Sequence, residues 1–132
     1  MKKARKILII DDSAVMLARA KRALVSEGYE VIATSQVVGN ARHLPTVDLV
    51  LIDYHMPGLN GSSVLASLRA LATTMKNKQP FYVYTSDALI ALRYRELGFD
   101  GAFSSKGDDA ELVRQTRAFF RIVEMREARA PT

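Results

Sequence analysis

Short apolar runs alternate with longer amphipathic stretches along the chain. "KILII" (6–10), "YEVIA" (29–33), "VDLVLI" (47–52), "FYVYT" (81–85) and "GAFS" (101–104) are rich in branched and aromatic residues and predict five strands. Most lack an apolar/polar alternation, the pattern of a parallel sheet covered on both faces. Between the strands the apolar period lengthens. Ser13 is placed to cap a helix carrying Leu17, Ala20 and Leu24 on one side, with Gly28 as its stop. Residues 62–75 set Leu65, Leu68, Leu71 and Ala72 on one stripe. From 108 onward Leu112, Thr116, Phe119, Phe120 and Val123 share a face opposite Arg114, Arg117 and Arg121, with Asp108 or Asp109 as N-cap. Residues 36–44 predict a short helix. A helix over 87–97 would carry Ala88, Leu89 and Leu92 on one side and Ile90, Tyr94 and Leu97 on the other; one sheet cannot bury both.

Five strands alternating with five helices imply successive right-handed βαβ units. The expected fold class is α/β, a three-layer doubly wound (βα)5 sandwich around a five-stranded parallel sheet. Ligands in such sheets bind beyond the carboxyl ends of the strands. At those ends stand Asp11 and Asp12 after the first strand, Asp53 after the third, Thr85 and Ser86 after the fourth, and Lys106 after the fifth. Carboxylates crowded there repel by about 4 kcal/mol per pair at about 4 Å and an effective dielectric of about 20. A cation is needed among them. Lys106 supplies one charge, and three hard oxygen donors suit a divalent metal such as Mg²⁺. A carboxylate held beside Mg²⁺ and a lysine can act as nucleophile toward a phosphoryl group. In "VDLVLIDYHMPGLNG" (47–61) a rigid strand delivers Asp53 to the rim, and Pro57 and Gly58 turn the chain away, leaving the acid accessible.

Composition narrows the reading without changing it. The 132 residues, 48% hydrophobic and 25% charged, fit one globular domain spanning 1–132. Residues 1–5 are expected as a solvated basic extension and 127–132 as a disordered tail. The chain contains no cysteine, which excludes disulfides, thiolate metal sites and a Cys nucleophile. Only four apolar residues separate the basic start from Asp11, too few for a signal peptide, and no apolar run reaches membrane-spanning length. A cytoplasmic location away from membranes is the expectation. The net charge of +5 raises the question of nucleic acid, but neither a helix-turn-helix nor aromatic-basic interleaving is present. "GLNGSS" lacks the lysine of a P-loop.

Taken together, "ILIIDD", "LVLIDYHMPGLNG", "YTSD" and "FSSKGD" resemble the receiver domain of bacterial two-component response regulators, over essentially the whole chain. The resemblance implies a CheY-like, flavodoxin-like fold of strand order 2-1-3-4-5; since no output domain follows in the sequence, a stand-alone domain is the expectation. It implies that Asp53 accepts a phosphoryl group and that the domain catalyses its own phosphorylation and dephosphorylation. Asp11, Asp12, Asp53 and the backbone carbonyl of His55 would hold Mg²⁺. Thr85 and Lys106 would each engage a phosphoryl oxygen, and on switching Thr85 would move while Phe103 turns inward; that Phe103 is permanent core stays open. The family's lysine is usually followed by proline through a cis bond. Gly107 stands in that place here, which leaves the geometry of the Lys106–Gly107 bond open. Beyond the family pattern, His55 and Asp87 each lie two residues past a site residue, and a pair between them would gate water reaching the phosphoryl group. The implied partners are a histidine kinase or phosphotransfer protein and, through the face formed by residues 87–125, a target protein or a second copy. The alternative is a relay or phosphate sink with no effector surface.

Overall fold

The computed structural model describes residues 4–36, 41–56, 58–72 and 79–129. Its strands are β1 (Lys6–Ile10), β2 (Glu30–Thr34), β3 (Leu49–Asp53), β4 (His55–Met56), β5 (Leu59–Asn60), β6 (Phe81–Tyr84) and β7 (Gly101–Phe103). Five of them form one parallel sheet in the order β2-β1-β3-β6-β7, which reads 2-1-3-4-5 when these strands alone are numbered. β4 and β5 make a separate antiparallel hairpin.

Four α-helices among the described residues cover the sheet: α1 (Ala14–Val25), α2 (Gly61–Ala72), α3 (Ala88–Leu92) and α4 (Asp109–Arg129). Successive side chains of a strand face opposite sides, and here both sides are core. Leu8, Ile10, Val50 and Ile52 meet Leu65, Leu68, Phe81, Val83 and Phe99 on the α2 side. Ile7, Ile9, Leu49 and Leu51 meet Leu17, Leu24, Leu112 and Phe120 from α1 and α4. That is why β1 and β3 read as unbroken apolar runs. Each fully buried side chain of this kind contributes about 1.5–3 kcal/mol, and β1 and β3 are held by such packing on both faces.

Local signals hold up where the chemistry is local. The Ser13 hydroxyl accepts the Met16 N–H at 3.2 Å and starts α1, whose Leu17, Ala20 and Leu24 are buried. Gly28, at φ 93°, follows the last turn. Asp108 accepts the Glu111 N–H at 3.1 Å and starts α4, which buries Leu112, Thr116 and Phe120.

Four expectations are corrected. In the expected 36–44 helix Gln36 is not helical, residues 37–40 lie outside the described residues, and 41–44 belong to a 3-10 helix over Ala41–Thr46 containing Pro45, which lacks the N–H an α-helix would use. The fourth helix is not 87–97 but ends at Leu92; the chain then tightens into turns through Gly98 (φ 94°), bringing Tyr94 and Leu97 onto the core with Ile90. Residues 127–129 are not a loose tail but the last turn of α4. Nor is Arg5 a solvated terminus: it binds Glu127 at 2.6 Å and lies 5.6 Å over the Phe120 ring. Lys2 and Lys3, Pro57, residues 73–75 and 130–132 lie outside the described residues.

Candidate functional site

The carboxyl ends of β1 and β3 are adjacent in the sheet, and their pairing carries Asp11 and Asp53 to the same rim. Both are buried, at 2% and 6% exposure, while Asp12 is exposed. Asp11 Oδ1 accepts the Ser13 N–H at 2.9 Å, so the turn into α1 also aims the other oxygen at the site. Gly61 secures the opposite side. A Cβ there would come within 2.9 Å of the Asp53 carbonyl oxygen and the Tyr54 Cα, so only glycine lets α2 start this close to β3.

Lys106 answers the crowding. Its Nζ lies 2.5 Å from Asp11 Oδ2 and 2.8 Å from Asp53 Oδ1. Burial would lower the lysine's pKa, but its hydrogen bonds and charge interactions with these two acids outweigh that and hold it above the ordinary value. Asp53 moves upward too. Burial is the main cause, with the charges of Asp11 and Asp12 adding to it, and Lys106 opposes them. The ammonium therefore compensates the acids only in part. Among the described residues the Lys106–Gly107 peptide is trans; Gly107 sits at φ 103° and Ser105 at φ 58°. Neighbouring Tyr84 is 3% exposed, and burial pushes its phenol up to about 12, opposed by a hydrogen bond to the Gly107 backbone.

Asp11, Asp12 and Asp53 each bring a carboxylate oxygen to within 4.8 Å of the others. The Lys106 ammonium acts as a monovalent stand-in against two of them. This is a donor set that fits Mg²⁺, which prefers hard oxygens.

Thr85 is buried at the end of β6, and its hydroxyl oxygen accepts the Asp87 N–H at 3.0 Å. Asp87 in turn accepts the Leu89 and Ile90 N–H groups through Oδ1 and meets His55 Nε2 at 3.0 Å through Oδ2. That His55 contact, then the helix-start N–H groups, hold its carboxyl below the usual value. The expected pairing of His55 and Asp87 is thus present, on an exposed rim. Phe103 is buried at 3%, edge-on to Tyr82 at 5.4 Å, so it is already inward in this structure.

The structure adds residues that no local pattern marked. Arg19 of α1 donates to the Gly107 carbonyl at 3.0 Å, across 88 positions of sequence. Gln115 of α4 bonds both backbone groups of Ser104. The β4–β5 hairpin was also missed, although Gly58 in "MPGL" is the kind of residue such a turn uses; its φ is 71°.

Comparisons with known proteins agree with this geometry. The protein-family model for the response regulator receiver domain matches residues 7–117. The transcriptional regulatory protein PrrA of Mycobacterium leprae (strain TN) is 31% identical over 121 residues, 88% of this chain and 50% of that protein. The chemotaxis protein CheY of Bacillus subtilis (strain 168) is 36% identical over 73 residues, 52% of this chain and 59% of that protein. The chain thus spans about half the length of the transcriptional relatives it matches. A CheY-like receiver domain structure from Methanospirillum hungatei JF-1 superposes with a TM-score of 0.73 at 20% identity, over 94% of this chain and 99% of that one, a likeness of fold.

Proposed function

We propose, since the chain belongs to the response regulator receiver domain family, that it is a signalling switch phosphorylated on Asp53 and read out by protein–protein contact. One observation carries this reading: a buried carboxylate, Asp53, sits 2.8 Å from an ammonium that also bridges to Asp11. In the reaction an Asp53 oxygen attacks phosphorus in line. A P–O bond to Asp53 forms as the P–N bond of a phosphohistidine donor breaks, and the donor imidazole leaves. Hydrolysis later returns the carboxylate and releases inorganic phosphate. Lys106 stays against the acids and neutralises charge on the incoming phosphoryl oxygens. Thr85 would donate its O–H to a phosphoryl oxygen while its own oxygen accepts the Asp87 N–H. Asp11, Asp12, Asp53 and the His55 carbonyl would hold Mg²⁺, which adds further charge neutralisation when bound.

The test is incubation with Mg²⁺ and acetyl phosphate, read by mass spectrometry. A gain of one phosphoryl group in the wild type and none in Asp53→Asn is expected; equal labelling of both would refute the assignment.

The His55–Asp87 pair would gate hydrolysis by holding the two loops beside Asp53 together. His55→Ala breaks this contact while leaving Asp87 Oδ1 to cap α3, so it should change the phosphoryl lifetime without the loss of the helix cap that Asp87→Ala would add. Lifetimes equal to wild type would end the idea.

The switch reading is favoured over a relay or sink by the surface on the β7 side. Leu89 and Leu92 are 70% and 78% exposed. Beside β7 lies a groove of about 280 Å³ lined by Tyr82, Phe103, Phe119, Val123, Arg114 and Arg126. Apolar surface of this kind supports docking of a target protein. Histidine kinases or phosphotransfer proteins are the donors that membership of the family implies.

A further inference from the structure

Lys106 rides on a tight turn that one backbone hydrogen bond closes, from the Asp108 N–H to the Ser105 carbonyl at 3.0 Å. Ser105 before it and Gly107 after it both have positive φ, 58° and 103°, so the lysine is flanked by two residues in conformations that ordinary side chains disfavour. Glycine in particular leaves the chain free to take many other conformations. Yet Nζ is placed within hydrogen-bond distance of two separate carboxylates. The closure fixes the turn's own shape but not its place against Asp11 and Asp53, which contacts from outside it must set; the Tyr84 phenol at the Gly107 backbone is one of them.

Two side chains from different helices grip the loop at its ends. At the start, the Gln115 carboxamide takes both backbone groups of Ser104: its oxygen accepts the N–H at 2.8 Å and its nitrogen donates to the C=O at 3.0 Å. A neighbouring strand would satisfy the two groups in the same way, and β7 is the edge strand of the sheet. The carboxamide is itself steadied by donating to the Glu111 carbonyl at 3.2 Å. At the far end Arg19 donates to the Gly107 carbonyl at 3.0 Å while pairing with Asp109 at 3.5 Å, so it ties α1, the loop and the start of α4 together. α1 is also the helix that Asp11 leads into, which links the Arg19 grip to the lysine's own partner.

We propose that Arg19 and Gln115 are positioning residues for Lys106, a two-ended clamp that does for this glycine-bearing loop what a rigid ring after the lysine would otherwise do. Their contacts are with the Gly107, Ser104 and Glu111 backbone and with Asp109, so both act through the lysine. The inference rests on the reading of Asp53 as phosphoryl acceptor. A loosened loop has two opposite consequences. Lys106 is less available to a phosphoryl group, and it competes less for the oxygens of Asp11 and Asp53 that a divalent cation would use.

The test is two NMR titrations of the full chain, with Mg²⁺ alone and with beryllofluoride at saturating Mg²⁺. Arg19→Ala and Gln115→Ala should each weaken beryllofluoride binding by about tenfold, the scale seen when a residue supporting a ligand-binding group is lost. Mg²⁺ alone should bind as tightly as in wild type or more so. Arg19→Lys, which keeps a donor, should restore most of the affinity. In a Lys106→Ala background the clamp substitutions should add nothing. The clamp is overturned by unchanged beryllofluoride affinity, by a parallel loss of Mg²⁺ affinity, or by further loss when Lys106 is already absent. A wild-type chain that binds Mg²⁺ but ignores beryllofluoride would instead sink the acceptor reading, and the clamp with it.

Discussion

In the middle of the sheet, Asp53 ends a strand whose Leu49, Val50, Leu51 and Ile52 are all 0% exposed, whereas Lys106 follows the edge strand β7 on a loop with Ser104 and Ser105 exposed. The acid is located by packing on two faces, the cation by a handful of polar contacts from α1 and α4. Packing is dense and costly to deform, while a few exposed hydrogen bonds open easily. The proposed acceptor is thus fixed, and the cation proposed to answer it lies where movement costs least.

Four substitutions sharpen or break that contrast. Leu51→Ala, in the centre, should cost about 2–5 kcal/mol in chemical denaturation; a cost below about 1 kcal/mol would mean that the centre is softer than its burial suggests. Lys106→Ala leaves two buried carboxylates without their counter-charge and should cost about 3 kcal/mol at neutral pH, with added Mg²⁺ recovering part of it. The pH dependence has a definite sign. Because the folded lysine pKa is raised, its stabilisation is complete below the unfolded value of about 10.4 and fades as pH rises through the folded one. On the acid side, Asp53 protonates above the usual carboxylate range, so the gap between variant and wild type should narrow as pH falls. A gap that widens in acid would contradict the ion-pair account.

Gly107→Ala places a side chain at φ 103° and should cost about 1–2 kcal/mol, even though the nearest atom, Met16 Cε, lies a comfortable 3.7 Å from the added carbon. An Ala variant as stable as wild type would show that the loop relaxes without penalty. The smallest effect belongs to the β7 side. Leu92→Ala, at a side chain 78% exposed, should stay within about 0.5 kcal/mol by thermal melting, because little apolar surface is lost there. A larger cost would mean that this surface is structural and not kept for a partner.

Much of this was readable in the residues themselves. Unbroken apolar runs at β1 and β3 announce a sheet covered on both sides, because water is kept from both faces of such a strand. Ser13 and Asp108 mark helix starts because a side-chain oxygen three residues from an unpaired N–H is a local arrangement. Asp11, Asp12, Asp53 and Lys106 could be assembled in advance for a related reason: once the strands are parallel, their carboxyl ends must share one rim. What depended on the tertiary structure was everything decided by contact between distant segments. The short α3 follows from how Tyr94 and Leu97 reach the core. Arg5 is held by Glu127, and the lysine loop by Arg19 and Gln115. Local pattern encodes which face of an element avoids water, but a hydrogen bond across the fold exists only after packing has brought its two ends together, and that distance is written in no short stretch of sequence.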